Sequence, residues 1–242
     1  MTRRRFFIPP DRIRDGIAIL TADQAHHLRA VLRLRTGDAV ELFDGEGRAY
    51  TGEVECHGGE IRITALDRIS LPEKGDACLI LAPALIRLER FEWLLEKGTE
   101  LGIDRFLPLE THFTSVRVPP AGRRRRLERW QRIVREASKQ CRRLTVPGVC
   151  APQPAMDLLT SRDYIDCARF LLDLSGPERL STAGAPRGTV LLCIGPEGGW
   201  HGSEVEAARG NGWKVVRLGP GILRAETAGL AAVAVLRFIL DE

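Results

Sequence analysis

Lysine is almost missing from this chain: of its 36 Lys and Arg side chains only Lys74, Lys97, Lys139 and Lys214 are lysines, and the remaining 32 are arginines. Arginine carries a planar fork that pairs with phosphate and stacks on bases, so the skew permits RNA binding, although a genomic preference for arginine produces the same bias. Paired cysteines are missing too. Cys56, Cys78, Cys141, Cys150, Cys167 and Cys193 are scattered with no C-x-x-C and no histidine at zinc-ligand spacing, which argues against a metal site. The start has no apolar run long enough for a signal peptide, and no later segment reaches membrane-spanning length without charge, so the expectation is a reduced, cytoplasmic protein without a membrane partner. Internal repeats and low-complexity tracts are absent. What remains is 242 residues, 44% hydrophobic, with a net charge of +4. That excludes the disordered and collagen-like classes and suffices for one large domain or for a small and a medium one.

After the basic opening Arg3-Arg4-Arg5-Phe6-Phe7-Ile8, the sequence Thr21-Ala22-Asp23-Gln24 has the form of a capping box that starts a short helix with the stripe Ala25, Leu28, Val31 and Leu32. Short β-rich runs follow at 39–43, 49–56 and 61–69, separated by turns at Asp44-Gly45-Glu46-Gly47 and Gly58-Gly59. They predict a small barrel. Pro72-Glu73-Lys74-Gly75 has linker composition, and beyond it strands alternate with helices, so the expected division is residues 1–72 and 73–242. A buried strand is expected at 78–85, and further strands at 105–109, 170–174, 190–194 and 215–218. Helices are expected at 88–101, closed by Gly102; from Leu127 to Cys141; at 155–159; and from a capping box Ser203-Glu204-Val205-Glu206. The terminal segment 226–240 is apolar nearly all round, so it must be buried in the fold or against another subunit.

Two strand exits stand out. One runs into Gly195-Pro196-Glu197-Gly198-Gly199, the other into Leu218-Gly219-Pro220-Gly221-Ile222-Leu223-Arg224-Ala225-Glu226-Thr227-Ala228. Each leads toward a helix, so both loops should emerge on one edge of a parallel sheet, where α/β proteins bind ligands. The first lacks the lysine and hydroxyl of a P-loop and the G-x-G-x-x-G spacing. Alone it reads equally well as a tight turn needing positive φ. Arg224 and Glu226 lie beside the start of the terminal helix, either as a salt bridge fixing the loop or as functional charges. The arginines 123–126 and 142–143 bracket the long helix. They form a solvated face or, together with Arg3, Arg4, Arg5, Arg29, Arg33 and Arg35, a phosphate-tracking surface. His26-His27 can be plain helix surface, and no Ser-His-Asp or Cys-His set emerges from spacing.

Taken together, Arg5-Phe6-Phe7, the stretch His26 to Arg33, Glu96-Lys97-Gly98-Thr99-Glu100-Leu101-Gly102, Glu136 to Cys141, Ile194 to Gly199 and Leu218 to Ala228 resemble the bacterial 16S ribosomal RNA uridine N3-methyltransferases, the RsmE family of the SPOUT (α/β-knot) superfamily. The resemblance spans nearly the whole chain. It implies a PUA-like RNA-binding barrel followed by an α/β domain with a knotted parallel sheet, S-adenosylmethionine as cofactor, 16S rRNA or the assembled small subunit as partner, and a homodimer with its active site near the subunit interface. Carried over position by position, the cofactor loops are Leu172 to Leu174, Ile194, Gly195, Pro196, Glu197, Gly198, Gly199, and Leu218, Gly219, Ile222, Leu223 and Arg224. The implied mechanism needs an aligned donor and acceptor, loss of the imide proton and shielding of the uracil anion. Arg224 is the candidate for the anion, and Glu197 or Glu226 for the proton. The chain departs from the family pattern at Gly221, where arginine is usual, at Ala225, where threonine is frequent, and at Thr114, where an arginine usually precedes Ser-Val. Gly221 and Thr114 raise an alternative, a non-catalytic RNA-binding or ribosome-assembly protein on the same fold; methylation of another RNA site is a third reading.

Overall fold

A computed structural model of the chain describes residues 4–57, 60–69, 77–184 and 188–240. The expected linker at 72–75, the Gly58-Gly59 turn and Arg3 lie outside the described residues. The chain divides into two units. One holds Met1–Glu73 together with Ser138–Val146, the other Lys74–Ala137 together with Pro147–Glu242. The return of Ser138–Val146 to the first unit is not contained in a linear division, because sequence pattern assigns a residue only to its chain neighbours.

The first unit carries β1 (Arg4–Phe7), β2 (Ile13–Arg14), β3 (Ile17–Ile19), α1 (Ala22–His26), β4 (Ala39–Phe43), β5 (Ala49–His57) and β6 (Glu60–Ile69). The strands form one sheet in the order β1-β4-β5-β6-β3-β2. Its core is Phe6, Ile8, Leu20, Leu28, Val40, Leu42, Val54, Ile61 and Ile63, with Ile61 and Ile63 two apart as a pleated strand requires. The capping box at Thr21 forms: Gln24 N donates to Thr21 Oγ1 at 3.3 Å, and Thr21 N donates to Gln24 Oε1 at 3.0 Å. The helix then continues as a single π-turn, His27–Val31. Its wider spacing shifts the expected stripe, so Leu28 is buried but Val31 is 60% exposed.

Charge ties the returning segment into this unit. Arg5 Nε lies 2.8 Å from Glu41 Oε1, with both side chains under a tenth exposed, and Arg5 donates to the Arg143 carbonyl at 2.8 Å. Arg142 pairs with the other Glu41 oxygen at 2.5 Å. Burial pulls the Arg5 guanidinium below the ordinary arginine value, and Glu41 opposes that pull.

The second unit comprises β7 (Cys78–Pro83), α2 (Leu88–Glu100), β8 (Arg105–Phe106), β9 (Leu109–Glu110), α3 (Pro120–Gln140, whose last three residues count with the first unit), β10 (Gly148–Val149), β11 (Gln153–Pro154), α4 (Ala155–Thr160), β12 (Ala168–Leu172), β13 (Glu178–Arg179), β14 (Thr189–Ile194), α5 (Gly202–Gly210), β15 (Lys214–Arg217) and α6 (Ala225–Leu240). Seven strands pair in the order β10-β8-β7-β14-β12-β15-β13, and every pairing is parallel. A parallel sheet needs helical crossovers and burial on both faces. The run Thr189–Ile194 accordingly reads TVLLCI with five successive buried residues.

Several expected boundaries move. The strand expected at 105–109 is broken into β8 and β9. β12 ends at Leu172, leaving Leu174 in the following loop. Helix α3 begins at Pro120, a residue suited to the first helical turn, so Arg123, Arg124, Arg125 and Arg126 lie inside the helix instead of flanking it. The cap of α5 is His201, with Glu204 as the reciprocal partner, two residues before the expected Ser203.

Candidate active site

Because β14 pairs with β12 and β12 with β15, the three carboxyl ends lie side by side and their exit loops converge. They enclose a cleft of about 290 Å³, near the lower end of the ~300–1,000 Å³ typical of small-molecule sites. Leu172, Leu174, Ile194, Gly195, Pro196, Glu197, Gly198, Gly199, Leu218, Gly219, Ile222 and Leu223 all line it. Asp173, Trp200, Arg217, Gly221, Ala225 and Ala228 line it as well. Arg224 is the one expected cofactor-loop residue outside the lining.

The loops are fastened to one another. Trp200 Nε1 donates to the Leu172 carbonyl at 3.0 Å, and Asp173 N donates to the Val216 carbonyl at 2.9 Å. Arg217 donates to the carbonyls of Gly176 and Pro177, the latter at 2.6 Å. Gly199 takes φ +74°, the left-handed region in which glycine is unstrained, and its N–H closes a turn on the Pro196 carbonyl at 2.9 Å. A Cβ on Gly199, Gly219 or Gly221 would meet nothing within 4 Å, so at these positions bare backbone borders open space. Leu174, Ile222 and Leu223 are 59%, 83% and 45% exposed. Apolar side chains left in water, beside glycine backbone that borders open space, fit a ligand that has a flat apolar base and polar ends. Those are the features of S-adenosylmethionine. No group of three or more His, Cys, Asp or Glu able to hold a metal occurs among the described residues.

Charge gathers beside the cleft in an arrangement absent from the sequence reading. Arg90, in the first turn of α2, lies 3.4 Å from Glu197 Oε1 and 3.6 Å from Glu226 Oε1. Glu226 is 6% exposed, and its Oε2 is buried without a hydrogen-bond partner. The salt bridge weighed between Arg224 and Glu226 is therefore not the one formed: Arg224 is exposed and makes no ion pair among the described residues. A signal for Arg90 existed. The rule that points to the exits of β14 and β15 applies equally to the exit of β7, whose loop leads directly into α2.

The basic residues divide into committed and exposed ones. Arg5 is buried on Glu41, and Arg142 shares that carboxylate. Arg143 donates to Thr145 Oγ1 at 3.3 Å. Within α3, Arg123 pairs with Glu110 and Arg126 with Glu92; Arg124 meets Glu128 but stays 93% exposed, and Arg125 is exposed. Arg4, Arg29, Arg33 and Arg35 are exposed in the first unit.

Comparison with known proteins agrees with this architecture. Residues 74–237 match the family model described as RNA methyltransferase domain, and residues 20–56 match RNA methyltransferase PUA domain. A ribosomal RNA small subunit methyltransferase E from Synechocystis sp. is 32% identical over 98% of this chain and 78% of its own length. The Mycobacterium tuberculosis protein of the same name is 33% identical over 91% and 87%. The crystal structure of ribosomal RNA small subunit methyltransferase E from Neisseria gonorrhoeae bound to S-adenosyl methionine is 29% identical, covers 99% of this chain and 98% of that one, and superposes with a TM-score of 0.89. With a knit parallel sheet, a glycine-lined cleft at its carboxyl edge, and likeness of this extent along the sequence, the chain belongs to the RNA methyltransferase family of the ribosomal RNA small subunit methyltransferases E.

Proposed function

We propose that the chain methylates N3 of a uridine in 16S ribosomal RNA, free or within the assembled small subunit, using S-adenosylmethionine. The observation that carries this reading is the cleft shared by the exits of β12, β14 and β15. The cofactor, when bound, supplies a methyl group already activated on a sulfonium. The protein's part is to bind, orient and handle a proton. Leu172, Leu174, Ile194, Leu218, Ile222 and Leu223 offer apolar contact to a flat base, and the glycine-rich backbone offers N–H and C=O groups to its edges.

Uracil N3 lies on the pairing edge, so the target base must be unpaired or splayed from its stack. Its imide proton needs an acceptor. Glu226 Oε2 has unused acceptor capacity, and Arg90 at the other oxygen restrains the carboxylate. Glu197 on the cleft wall is the second candidate. Arg224, exposed and next to the cleft-lining Leu223, is the cation available to the uracil anion. Arg4, Arg29, Arg33, Arg35 and Arg125 are exposed and suited to RNA phosphates, with Arg29 inside the π-turn, an irregularity frequent at functional sites. The outward side of α6 keeps Phe238 70% exposed, which supports a homodimer that covers it. A cytoplasmic location suits an rRNA substrate, and no helix among the described residues is long and apolar enough to cross a membrane.

The test is transfer of labelled methyl to 16S rRNA and to small subunits from a strain lacking this protein, followed by mass mapping of the modified nucleotide. Arg224→Ala and Glu226→Gln are measured for transfer and for cofactor binding separately. Both should lose transfer while keeping cofactor affinity; loss of binding alone would reduce the two residues to scaffold.

A further inference from the structure

We propose that the Phe113 ring, braced edge-on by His112 and by His201, is a stacking platform for the unpaired base that the RNA presents to the methyl donor. The proposal rests on the RNA methyltransferase reading above and adds the surface that holds the base. Phe113 is 46% exposed, although nothing in a plain fold calls for an aromatic ring in water. It is not a loose loop residue. Its turn is closed by two buried threonines, with Thr111 N donating to Thr114 Oγ1 at 2.8 Å and the two hydroxyls 2.9 Å apart. Thr114, at a position where an arginine is usual in the family, is thus spent on presenting its neighbour.

A single buried carboxylate registers this turn against the cofactor loop. Glu204, 3% exposed, accepts from His112 N at 3.0 Å through one oxygen and from His201 N at 2.9 Å through the other. The rings then gather: His112 and His201 have centroids 4.3 Å apart at 33°, and His112 and Phe113 stand at 90° with centroids 4.8 Å apart. Gly198, which lines the cleft, brings its backbone against Phe113, since a Cβ there would lie 3.1 Å from Phe113 Cβ and 3.5 Å from Cγ of its ring.

The bland alternative is three rings that merely bury one another. It conflicts with the exposure of His112 and Phe113 and with the amount of buried hydrogen bonding used to fix exposed rings. A rigid aromatic face that loses little freedom on binding, placed on the rim of a methyl-donor cleft, matches how proteins hold unstacked bases. Every base has a π-face, so the platform sets position and leaves sequence choice to other contacts.

The experiment measures binding of a ten-residue oligouridylate by fluorescence anisotropy, binding of S-adenosylmethionine by calorimetry, and methyl transfer to small subunits lacking the modification. The variants are Phe113→Ala, Phe113→Leu and Phe113→Trp. Loss of one stacked base weakens oligouridylate binding by about 5- to 150-fold in Phe113→Ala. Phe113→Leu, which keeps apolar bulk without a π-face, should be weakened similarly, whereas Phe113→Trp should stay close to wild type. Cofactor affinity should not change in any of them. The proposal is overturned if Phe113→Ala binds like wild type, if Phe113→Leu binds as tightly as Phe113→Trp, or if the wild-type protein binds no oligouridylate. A wild-type protein that binds the oligomer through Phe113 yet transfers no methyl refutes the functional reading alone; equal transfer and binding by Phe113→Ala refutes the platform alone.

Discussion

Replacing Arg90 by alanine removes one cation from two carboxylates at once, and the two losses should differ. Glu197 is 42% exposed in its side chain and Arg90 33%, so that arm is screened by water and is worth at most about 1 kcal/mol. Glu226 is 8% exposed in its side chain and 3.6 Å from the guanidinium. At an effective dielectric of about 20 the gross attraction there is roughly 4–5 kcal/mol, much of it offset by desolvation. What the variant leaves behind is a buried carboxylate with no counter-charge and one oxygen already without a hydrogen bond, a cost of about 1–3 kcal/mol. For a protein of this size, ~2 kcal/mol lowers the melting temperature by roughly 4–8 °C. The assay is thermal unfolding of Arg90→Ala, Glu226→Gln, Glu197→Gln and the two double variants. Coupling of about 1–2 kcal/mol between Arg90 and Glu226, and of about half a kcal/mol or less between Arg90 and Glu197, is expected. If Arg90→Ala melts within about 1 °C of wild type, or costs as much when Glu226 is already glutamine, the account of this cluster is wrong.

In the first unit, Glu41→Gln should release the Ser138–Val146 segment, read as faster amide exchange confined to that segment and to β1; uniform exchange across the unit would contradict the assignment of Arg5 and Arg142 to Glu41. The triple variant Arg29→Ala, Arg33→Ala, Arg35→Ala should flatten the dependence of log K on log salt for RNA by about 0.7 per lost phosphate contact, and an unchanged slope would remove this face from the RNA surface. Phe238→Glu places a charge on the outward side of α6 and should shift light-scattering mass toward the monomer; an unaffected mass places any dimer contact elsewhere. Burial raises the Cys193 thiol well above its ordinary value, so at pH 8 it stays protonated in the folded protein and resists iodoacetamide, while Cys56, which is exposed, reacts. Unfolding lowers the Cys193 pKa, and its labelling should then rise to match Cys56.

Much of the architecture was readable along the chain because it is periodic. Short β-rich runs between glycine turns marked β4 to β6, the stripe Phe91, Leu94 and Leu95 marked α2, and the apolar run Val190 to Ile194 marked β14. The glycine loops at 195–199 and 218–224 were readable as a pair because parallel strands deliver their exits to one edge, and of the cofactor residues expected there only Arg224 is outside the cleft lining. Local motifs fared less evenly: the box at Thr21 formed as written, while the cap of α5 fell on His201, whose N–H donates to Glu204 Oε2.

Pairings between distant residues have no periodicity and left no trace in composition. Arg90 meets Glu226 across 136 positions of chain, Arg5 meets Glu41 and the carbonyl of Arg143, and Arg123 and Arg126 of α3 are answered by glutamates. A basic run therefore looks free in a sequence when its partners are supplied by other elements. Amino-acid order carries the spacing of apolar groups and the places where backbone can bend, since both act within a few residues. Which charges are spent on one another, and which remain for a ligand, depends on the folding of the sheet, because electrostatic partners are chosen by distance in space.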